Sequence, residues 1–169
     1  KLEQIDLYQL HRPDSKVPFA ESIGALAELK QEGKIRHIGI SNVNLEQIKE
    51  ARKIVEIASV QNRFSITNRE KEDTLNYCSD NGIAFLPYGS LDAHPLKQGA
   101  PLANAEGIIG DIAGKYGVKP NQIALSWLLH RYPNVILIPG TTTIAHLEEN
   151  IQVGEIRLTD DEMKALNSM

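Results

Sequence analysis

Short runs of apolar residues alternate along the chain with longer stretches in which apolar side chains recur at helical spacing. The first run covers residues 5–10, helical spacing follows over 18–32, and Gly33 is placed to end that helix. This alternation predicts a parallel β-sheet with crossover helices, whose strands are buried on both faces. The other expected strands are residues 35–40, 58–62, 83–88 and 135–139.

Capping and helix-breaking residues mark the expected ends of the helices. Asn44 with Gln47, and Thr159 with Glu162, have the three-residue spacing of a capping box. Pro120 is expected in the first turn of its helix, where its missing N–H costs nothing. The helices expected in the middle and late chain lie near 70–81, before Gly117, from 120 to 130 and from 143 to 153.

About five parallel strands do not close a barrel, so the pattern leaves two architectures open. The chain is either an open doubly wound α/β sheet or a part of an eight-stranded β/α barrel. No repeat, low-complexity stretch or linker divides residues 1–169, which predicts one domain. The segment 89–103 is rich in Gly and Pro, and loops this long are usually functional or mobile.

Polar or small residues stand at the end of every expected strand. Because parallel strands bring their carboxyl ends to one rim, this pattern predicts a shared site there, with ordinary turn chemistry as the alternative. The residues are His11, Ser41, Asn42, Gln61, Asn62, Tyr88, Gly89, Gly140 and Thr141.

Composition narrows the classes of function. The net charge of −4 gives no basic field for nucleic acid or an anionic membrane, and no apolar run approaches the roughly 20 residues of a membrane span. The first residues lack a signal-peptide pattern, and Cys78 is the one cysteine, so we expect a cytoplasmic protein with an inert thiol. Histidines 37, 94 and 130 have no metal-ligand spacing, so no metal is expected.

Five segments together resemble the aldo-keto reductases: LYQLHRPD, KIRHIGISN, VQN, FLPYGSL and IPGTTTIAHLEEN. The resemblance runs from the family's fourth barrel strand to the helix after its eighth, which covers essentially the whole chain. It implies a partial TIM (β/α)8 barrel of about five parallel strands with flanking helices. It also implies a nicotinamide cofactor, usually NADPH, and reversible reduction of a small-molecule carbonyl.

The resemblance assigns roles to the residues at the strand ends. His11 matches the catalytic histidine that orients and polarises the carbonyl, and Tyr88 matches the aromatic residue that stacks on the nicotinamide ring. Ser41, Asn42 and Gln61 match the residues that hydrogen-bond the nicotinamide carboxamide. Residues 140–143 match the phosphate-binding segment, and Glu149 and Asn150 match the adenine contacts. Within that segment the implied cofactor contacts are Gly140, Thr141 and Thr142. The remaining implied cofactor contacts are Gly89, Leu91 and His146.

Two departures from the family pattern bear on the chemistry. Arginine or lysine often follows the family's last strand and pairs with the 2′-phosphate of NADPH, whereas this chain has Thr-Thr-Thr and then His146, so NADH use is also possible. The family's catalytic aspartate, tyrosine and lysine come from the first three strands, which nothing in this chain matches. Tyr8, within a strand, and Tyr88, with its stacking role, do not replace that tyrosine as general acid.

Three interpretations stay open at this point. The chain is a fragment of a full reductase, a module that binds a nucleotide without turnover, or a half-barrel that assembles with itself or a partner through unpaired strand edges. The substrate is not specified, since barrel specificity resides in loops; Leu91, His94 and Leu96 of the long loop are candidates to contact substrate or cofactor.

Overall fold

The computed structural model describes residues 3–92, 102 and 105–169. These residues form two compact units. The first unit comprises Lys1–Asn62 and Lys71–Leu86, and the second comprises Arg63–Glu70 and Pro87–Met169.

The first unit is a parallel sheet with crossover helices, as the alternating pattern predicts. The four strands lie in the order of the chain, so each crossover places the next strand beside the last. The strands are β1 (Ile5–Leu10), β2 (Ile35–Ser41), β3 (Ser59–Gln61) and β4 (Ala84–Phe85). The helices are α1 (Phe19–Gln31), α2 (Leu45–Ile54) and α3 (Glu72–Asp80).

The sequence signals at the helix ends of this unit are confirmed. The Asn44 side chain accepts a hydrogen bond from the Gln47 backbone N–H at 2.9 Å, and the Gln47 side chain accepts one from the Asn44 N–H at 3.0 Å. These reciprocal bonds satisfy N–H groups that a helix start leaves without partners. Gly33 follows α1 with φ 74°, a left-handed conformation that favours glycine.

Burial of the sheet is uneven. Residues 38–41 of β2 and 59–60 of β3 are buried, and since neighbouring residues point to opposite faces, these parts match the expected two-sided burial. Arg36 and His37, near the start of β2, are exposed. That expectation is wrong for β1, where Ile5 and Leu7 are each 43% exposed. The physical reason is that, within the described part of the chain, β1 pairs with β2 alone and its other edge has no neighbouring strand.

The second unit is helical and packs around Trp127. This side chain is fully buried, stacks on Phe64 with ring centroids 6.2 Å apart, and donates from its indole N–H to Asn167 at 2.8 Å. The Arg69 guanidinium lies 4.7 Å from the Trp127 ring, an attractive cation–π geometry. The helices are α4 (Ile108–Tyr116), α5 (Pro120–Arg131), α6 (Ile144–Gln152) and α7 (Asp160–Asn167), with a 3₁₀ turn at Val153–Glu155.

A charged cluster fixes the start of α7, where the capping box of Thr159 and Glu162 is confirmed. Glu162 is 9% exposed and accepts hydrogen bonds from Lys115 at 2.5 Å and Tyr116 at 2.7 Å. Burial acts to raise the pKa of this carboxyl. Hydrogen bonds from Lys115, Thr159 and Tyr116 outweigh it and lower the pKa from 4.5 to about 2.

The strand expected at 135–139 is not formed. Val135 is buried, but residues 136–140 have no regular structure, and Ile136 and Ile138 are 53% and 38% exposed. A strand exists only through hydrogen bonds to a neighbouring backbone, which an apolar sequence alone cannot supply. The seven described α-helices reach at most 13 residues, so none of them has the length and apolar character to cross a membrane.

Candidate functional site

The ends of β1, β2 and β3 bring four of the predicted site residues into one hydrogen-bonded group in the first unit. Asn42 donates from its side-chain amide to the backbone oxygen of His11 at 2.8 Å and to Ser41 Oγ at 3.1 Å. The Ser41 hydroxyl donates to the backbone oxygen of Gln61 at 2.7 Å, and Asn42 N–H donates to the same oxygen at 3.1 Å. The predicted clustering of His11, Ser41, Asn42 and Gln61 is therefore found.

The turn after β2 holds this group in place. Asn42 has φ 59°, a left-handed conformation that Asn tolerates better than most residues. Next to it, Val43 is pinned by Asn62, which accepts from its N–H at 3.0 Å and donates to its oxygen at 2.8 Å. Asn62 is 1% exposed. Its amide is thus committed to the backbone, and it supports the site from beneath rather than facing a ligand.

Donors and acceptors at the strand ends suit an amide ligand. The Ser41 hydroxyl proton is used on Gln61, so toward a ligand Ser41 Oγ can only accept. The Gln61 side-chain amide has no hydrogen-bond partner among residues 3–92, 102 and 105–169, so it can both donate and accept. A carboxamide ligand has two donors and one acceptor, and these two side chains can satisfy both kinds.

In the second unit, Tyr88 starts a tight turn. Tyr88 bridges to Arg63, and its backbone oxygen accepts from the Phe64 N–H at 3.2 Å. Gly89 has φ 65°, a left-handed conformation that favours glycine, whereas a Cβ there would make only an ordinary van der Waals contact with Arg63 Cγ at 3.5 Å. Leu91 is half-buried in this turn. His94 and Leu96 lie outside the described residues.

Asp92 closes that turn and was not anticipated from the sequence. Its N–H donates to the oxygen of Gly89 at 2.9 Å. Its carboxylate accepts from the hydroxyls of Ser65, at 2.9 Å, and Thr67. The carboxylate thereby anchors the turn that carries Tyr88. A signal existed, because Asp favours such turns and tolerates the left-handed φ of 54° found here.

The threonine segment forms the entry to α6. Thr143 is the N-cap and accepts from the His146 N–H at 3.3 Å, while Thr141 Oγ1 accepts from the Thr143 N–H at 3.2 Å. The N–H groups of Ile144 and Ala145 have no acceptor within the part of the chain that the structure describes. Free N–H groups at a helix start can bind a phosphate. Gly140, Thr142 and His146 are exposed beside them.

Glu149 carries an unsatisfied buried atom at the other end of α6. One carboxylate oxygen pairs with Lys119, whereas Oε2 is buried without a hydrogen-bond partner among the described residues. Gln122 holds the Glu149 backbone by donating to its oxygen at 3.0 Å. A buried acceptor without a donor is costly. Asn150 is half-buried next to it.

Other candidate centres give no sign of chemistry. Burial raises the pKa of the Cys78 thiol to about 12, against a smaller lowering by Arg52, which fits the expected inert role. No cluster of metal-binding side chains occurs in residues 3–92, 102 and 105–169.

A cavity of about 530 Å³ lies at the amino ends of the strands, beside His37. The predicted site residues of the first unit stand at the opposite, carboxyl ends of the strands, so this cavity is separate from them.

Comparison with known proteins places the chain in a family. The model of the aldo/keto reductase family matches residues 1–169. An uncharacterised oxidoreductase of Schizosaccharomyces pombe is 43% identical over 160 residues, which is 95% of this chain and 50% of that protein. Pyridoxine 4-dehydrogenase of Escherichia coli is 39% identical over 148 residues, 88% of this chain and 49% of that protein. The chain spans about half the length of these curated relatives.

Solved structures give the same assignment. A thermostable aldo-keto reductase, solved with the inhibitor epalrestat, superposes with a TM-score of 0.85 at 34% identity, covering 98% of this chain and 60% of that one. An aldo-keto reductase of Klebsiella pneumoniae, solved with NADP and acetate, superposes with a TM-score of 0.83 at 28% identity, covering 98% and 59%. The parallel sheet with crossover helices is therefore a partial barrel, and the chain belongs to the aldo/keto reductase family.

Proposed function

We propose that the protein carrying this chain reduces a small-molecule carbonyl with a nicotinamide nucleotide, and that this chain supplies most of the cofactor contacts and the catalytic histidine. The observation that carries the proposal is the hydrogen-bonded group at the strand ends, which joins His11 to Ser41, Asn42 and Gln61. Family membership gives that group its chemical meaning.

The cofactor supplies the hydride when it is bound. In this proposal the Gln61 side chain donates to the nicotinamide carboxamide, and Ser41 Oγ accepts from it. Asn42 is the third residue that hydrogen-bonds the carboxamide. Tyr88 offers a ring face for stacking, and Gly89 and Leu91 follow it in the same turn. His11 hydrogen-bonds the substrate carbonyl oxygen, which orients the carbonyl and polarises it.

The rest of the nucleotide is assigned to the second unit. The exposed N–H groups at the start of α6, with Gly140, Thr141 and Thr142, receive the phosphates. The buried Glu149 Oε2 accepts from the adenine amino group, with Asn150 beside it. We propose NADPH as the cofactor because the Klebsiella pneumoniae relatives were solved with NADP and with NADPH. NADH is the alternative, since the family often has arginine or lysine after its last strand, whereas this chain has Thr-Thr-Thr there and His146 one turn later.

We assign proton transfer to family residues that have no counterpart in this chain. In the family the general-acid tyrosine and its partner lysine and aspartate come from the first three strands. Loss of a general acid typically lowers a rate by a factor of about 10²–10⁴. We therefore expect the 169-residue chain alone to show no measurable carbonyl reduction with NADPH, and a longer protein that includes those strands to show it.

The cofactor assignment is tested by replacing the unpartnered amide at the end of β3. Gln61→Glu keeps the shape but removes the N–H donors, so we expect the Kd for NADPH, measured by titration calorimetry on the full-length protein, to rise about tenfold. Gln31→Glu makes the same change at the exposed last residue of α1 and serves as the control. Equal affinity in the two variants would contradict the assignment.

A second candidate function follows from the exposed edge of β1. The side chains of Ile5 and Leu7 are each 43% exposed, and an unpaired strand edge can bind another chain. In this alternative the chain is a half-barrel that binds a nucleotide without turnover or assembles with itself or a partner. Sedimentation of the 169-residue chain tests assembly, and a clean monomer at all concentrations excludes it.

A further inference from the structure

A row of four residues, one from each strand, crosses the sheet. In β1, β2 and β3 each member of the row precedes a residue of the proposed site by two positions. Gln9 of β1 lies opposite Gly39 of β2, Gly39 lies opposite Ser59 of β3, and Ser59 lies opposite Ala84 of β4. Side chains two residues apart in a strand share a face of the sheet. Ser41 and Gln61 are therefore on the same face as Gly39 and Ser59, and His11 follows Gln9 by two residues.

The Gln9 side chain joins three strands within this row. Ser59 Oγ donates to Gln9 Oε1 at 3.1 Å, although β1 and β3 are not neighbours. The Gln9 amide N–H donates to the backbone oxygen of Ile40 in the intervening β2 at 3.1 Å. Both ends of the Gln9 amide are thus used, and Ser59, at 3% exposed, has its hydroxyl satisfied.

Gly39 makes this bridge possible. A Cβ at this position would lie 2.1 Å from Gln9 Oε1 and 2.3 Å from Ser59 Oγ, which is too close for non-bonded atoms. The Gln9 amide therefore occupies the space that any side chain at position 39 would fill. A glycine inside a strand often marks such a close approach, and this was the signal that the sequence offered for the bridge.

The bridge has a mechanical consequence for β1. Among the described residues the backbone of β1 pairs with β2 and not with β3. Its carboxyl end is tied to β2 by the bond from Asn42 to the oxygen of His11. Gln9 adds a second tie two residues earlier, which reaches both β2 and β3.

We propose that Gln9 is a positioning residue for the reduction, an inference that rests on the proposed function. Its amide sets the place of His11 at the end of β1 relative to Ser41 and Gln61 at the ends of β2 and β3. The carbonyl that His11 orients is thereby aligned with the nicotinamide that the other two hold. Hydride transfer is sensitive to such alignment, since displacements near 1 Å can cost about 10²-fold in rate.

The test compares two leucine variants of the full-length protein. Gln9→Leu removes the bridge, whereas Gln4→Leu removes a similar bond, from Gln4 to the Gly33 oxygen at 2.8 Å, just before the other end of β1. For Gln9→Leu we expect kcat to fall about tenfold, with the KM for NADPH changed less than about twofold. With NADPH deuterated at both C4 positions, its isotope effect on kcat should exceed that of the wild type, because hydride transfer becomes more nearly rate-limiting.

A purely structural role would lower the amount of folded enzyme without raising the isotope effect. If Gln9→Leu has the same kcat and isotope effect as the wild type and as the control Gln4→Leu, the proposal is wrong. The proposed function would still stand in that case. If the wild type oxidises neither NADPH nor NADH with any carbonyl, the proposed function fails and the role of Gln9 fails with it.

Two further variants keep the test decisive if Gln9→Leu does not fold. Ser59→Ala removes only the donor to Gln9, and Gly39→Ala places a methyl group where Gln9 Oε1 and Ser59 Oγ now meet, which breaks the bridge without changing the chemistry of either side chain. Both are expected to lower kcat and to raise the isotope effect in the same direction. Unchanged values in both variants would contradict the proposal.

Discussion

Asn42 donates its side-chain amide to the backbone oxygen of His11 at 2.8 Å, and it does so from a left-handed backbone conformation with φ 59°. The bond links the end of β1 to the turn after β2, so the catalytic candidate and a cofactor candidate are fixed to each other. Residues held in sparsely populated conformations occur often at functional sites. Here the conformation aims the amide at the neighbouring strand.

Two substitutions of Asn42 distinguish the contribution of its side-chain amide from that of its left-handed backbone conformation. Asn42→Gly keeps the backbone freedom and loses the amide, whereas Asn42→Ala loses both, so the alanine variant should be less stable by about 1 kcal/mol in chemical denaturation. Both variants should lose about tenfold in kcat/KM, because His11 loses its anchor. Wild-type kcat/KM in Asn42→Gly would show that the amide has no part in the site.

The choice between NADPH and NADH is expected to depend on α6. Residues 140–147 contain no arginine or lysine, so pairing of a 2′-phosphate there rests on His146 and backbone N–H groups. His146→Arg supplies a guanidinium, and we expect the affinity for NADPH to rise about tenfold. NADH lacks the 2′-phosphate and is the internal control, so an equal gain for both cofactors would contradict the assignment.

The buried oxygen of Glu149 gives a matched pair of variants. Glu149→Ala removes the proposed acceptor for adenine, whereas Glu148→Ala makes the same change at its exposed neighbour. We expect Glu149→Ala to raise the Kd for NADPH about tenfold in titration calorimetry, because a charge-assisted hydrogen bond is lost, and Glu148→Ala to leave it unchanged. Similar affinities in the two variants would remove Glu149 from the site.

Glu162 predicts a pH dependence of stability. Its pKa in the folded protein is about 2, below the usual 4.5, so the carboxylate contributes stability above pH 4.5 and loses that contribution as the pH falls toward 2. Glu162→Gln should lower the free energy of unfolding by about 2 kcal/mol at neutral pH and flatten the acid limb. Asp161→Asn alters a side chain that is 94% exposed on the same turn, and it should keep the wild-type profile. Parallel acid limbs in Glu162→Gln and the wild type would contradict this role.

Much of the fold could be predicted because local rules and the tertiary structure agree. β1 has the expected bounds of 5–10, and the capping boxes at Asn44 and Thr159 form as their spacing predicts. β4 is shorter than the apolar run 83–88, since only Ala84 and Phe85 take part in its ladder. The run at 135–139 forms no strand, because pairing depends on a neighbour that local sequence cannot specify.

The candidate site could be predicted only in part, for a related reason. Residues that end strands are visible in the sequence, so His11, Ser41 and Gln61 could be named from their positions. The bridge from Gln9 to Ser59 joins residues 50 apart, and it depends on the register of three strands. Register is a tertiary property, and an apolar pattern does not encode which polar side chains meet across it.

The most direct measurement is carbonyl-dependent oxidation of NADPH by the full-length protein, with wild type and His11→Ala compared over a panel of aldehydes and ketones. The account predicts turnover by the wild type and a kcat/KM lower by a factor of about 10²–10³ in His11→Ala. It is contradicted if the wild type oxidises neither NADPH nor NADH, or if His11→Ala is as active as the wild type.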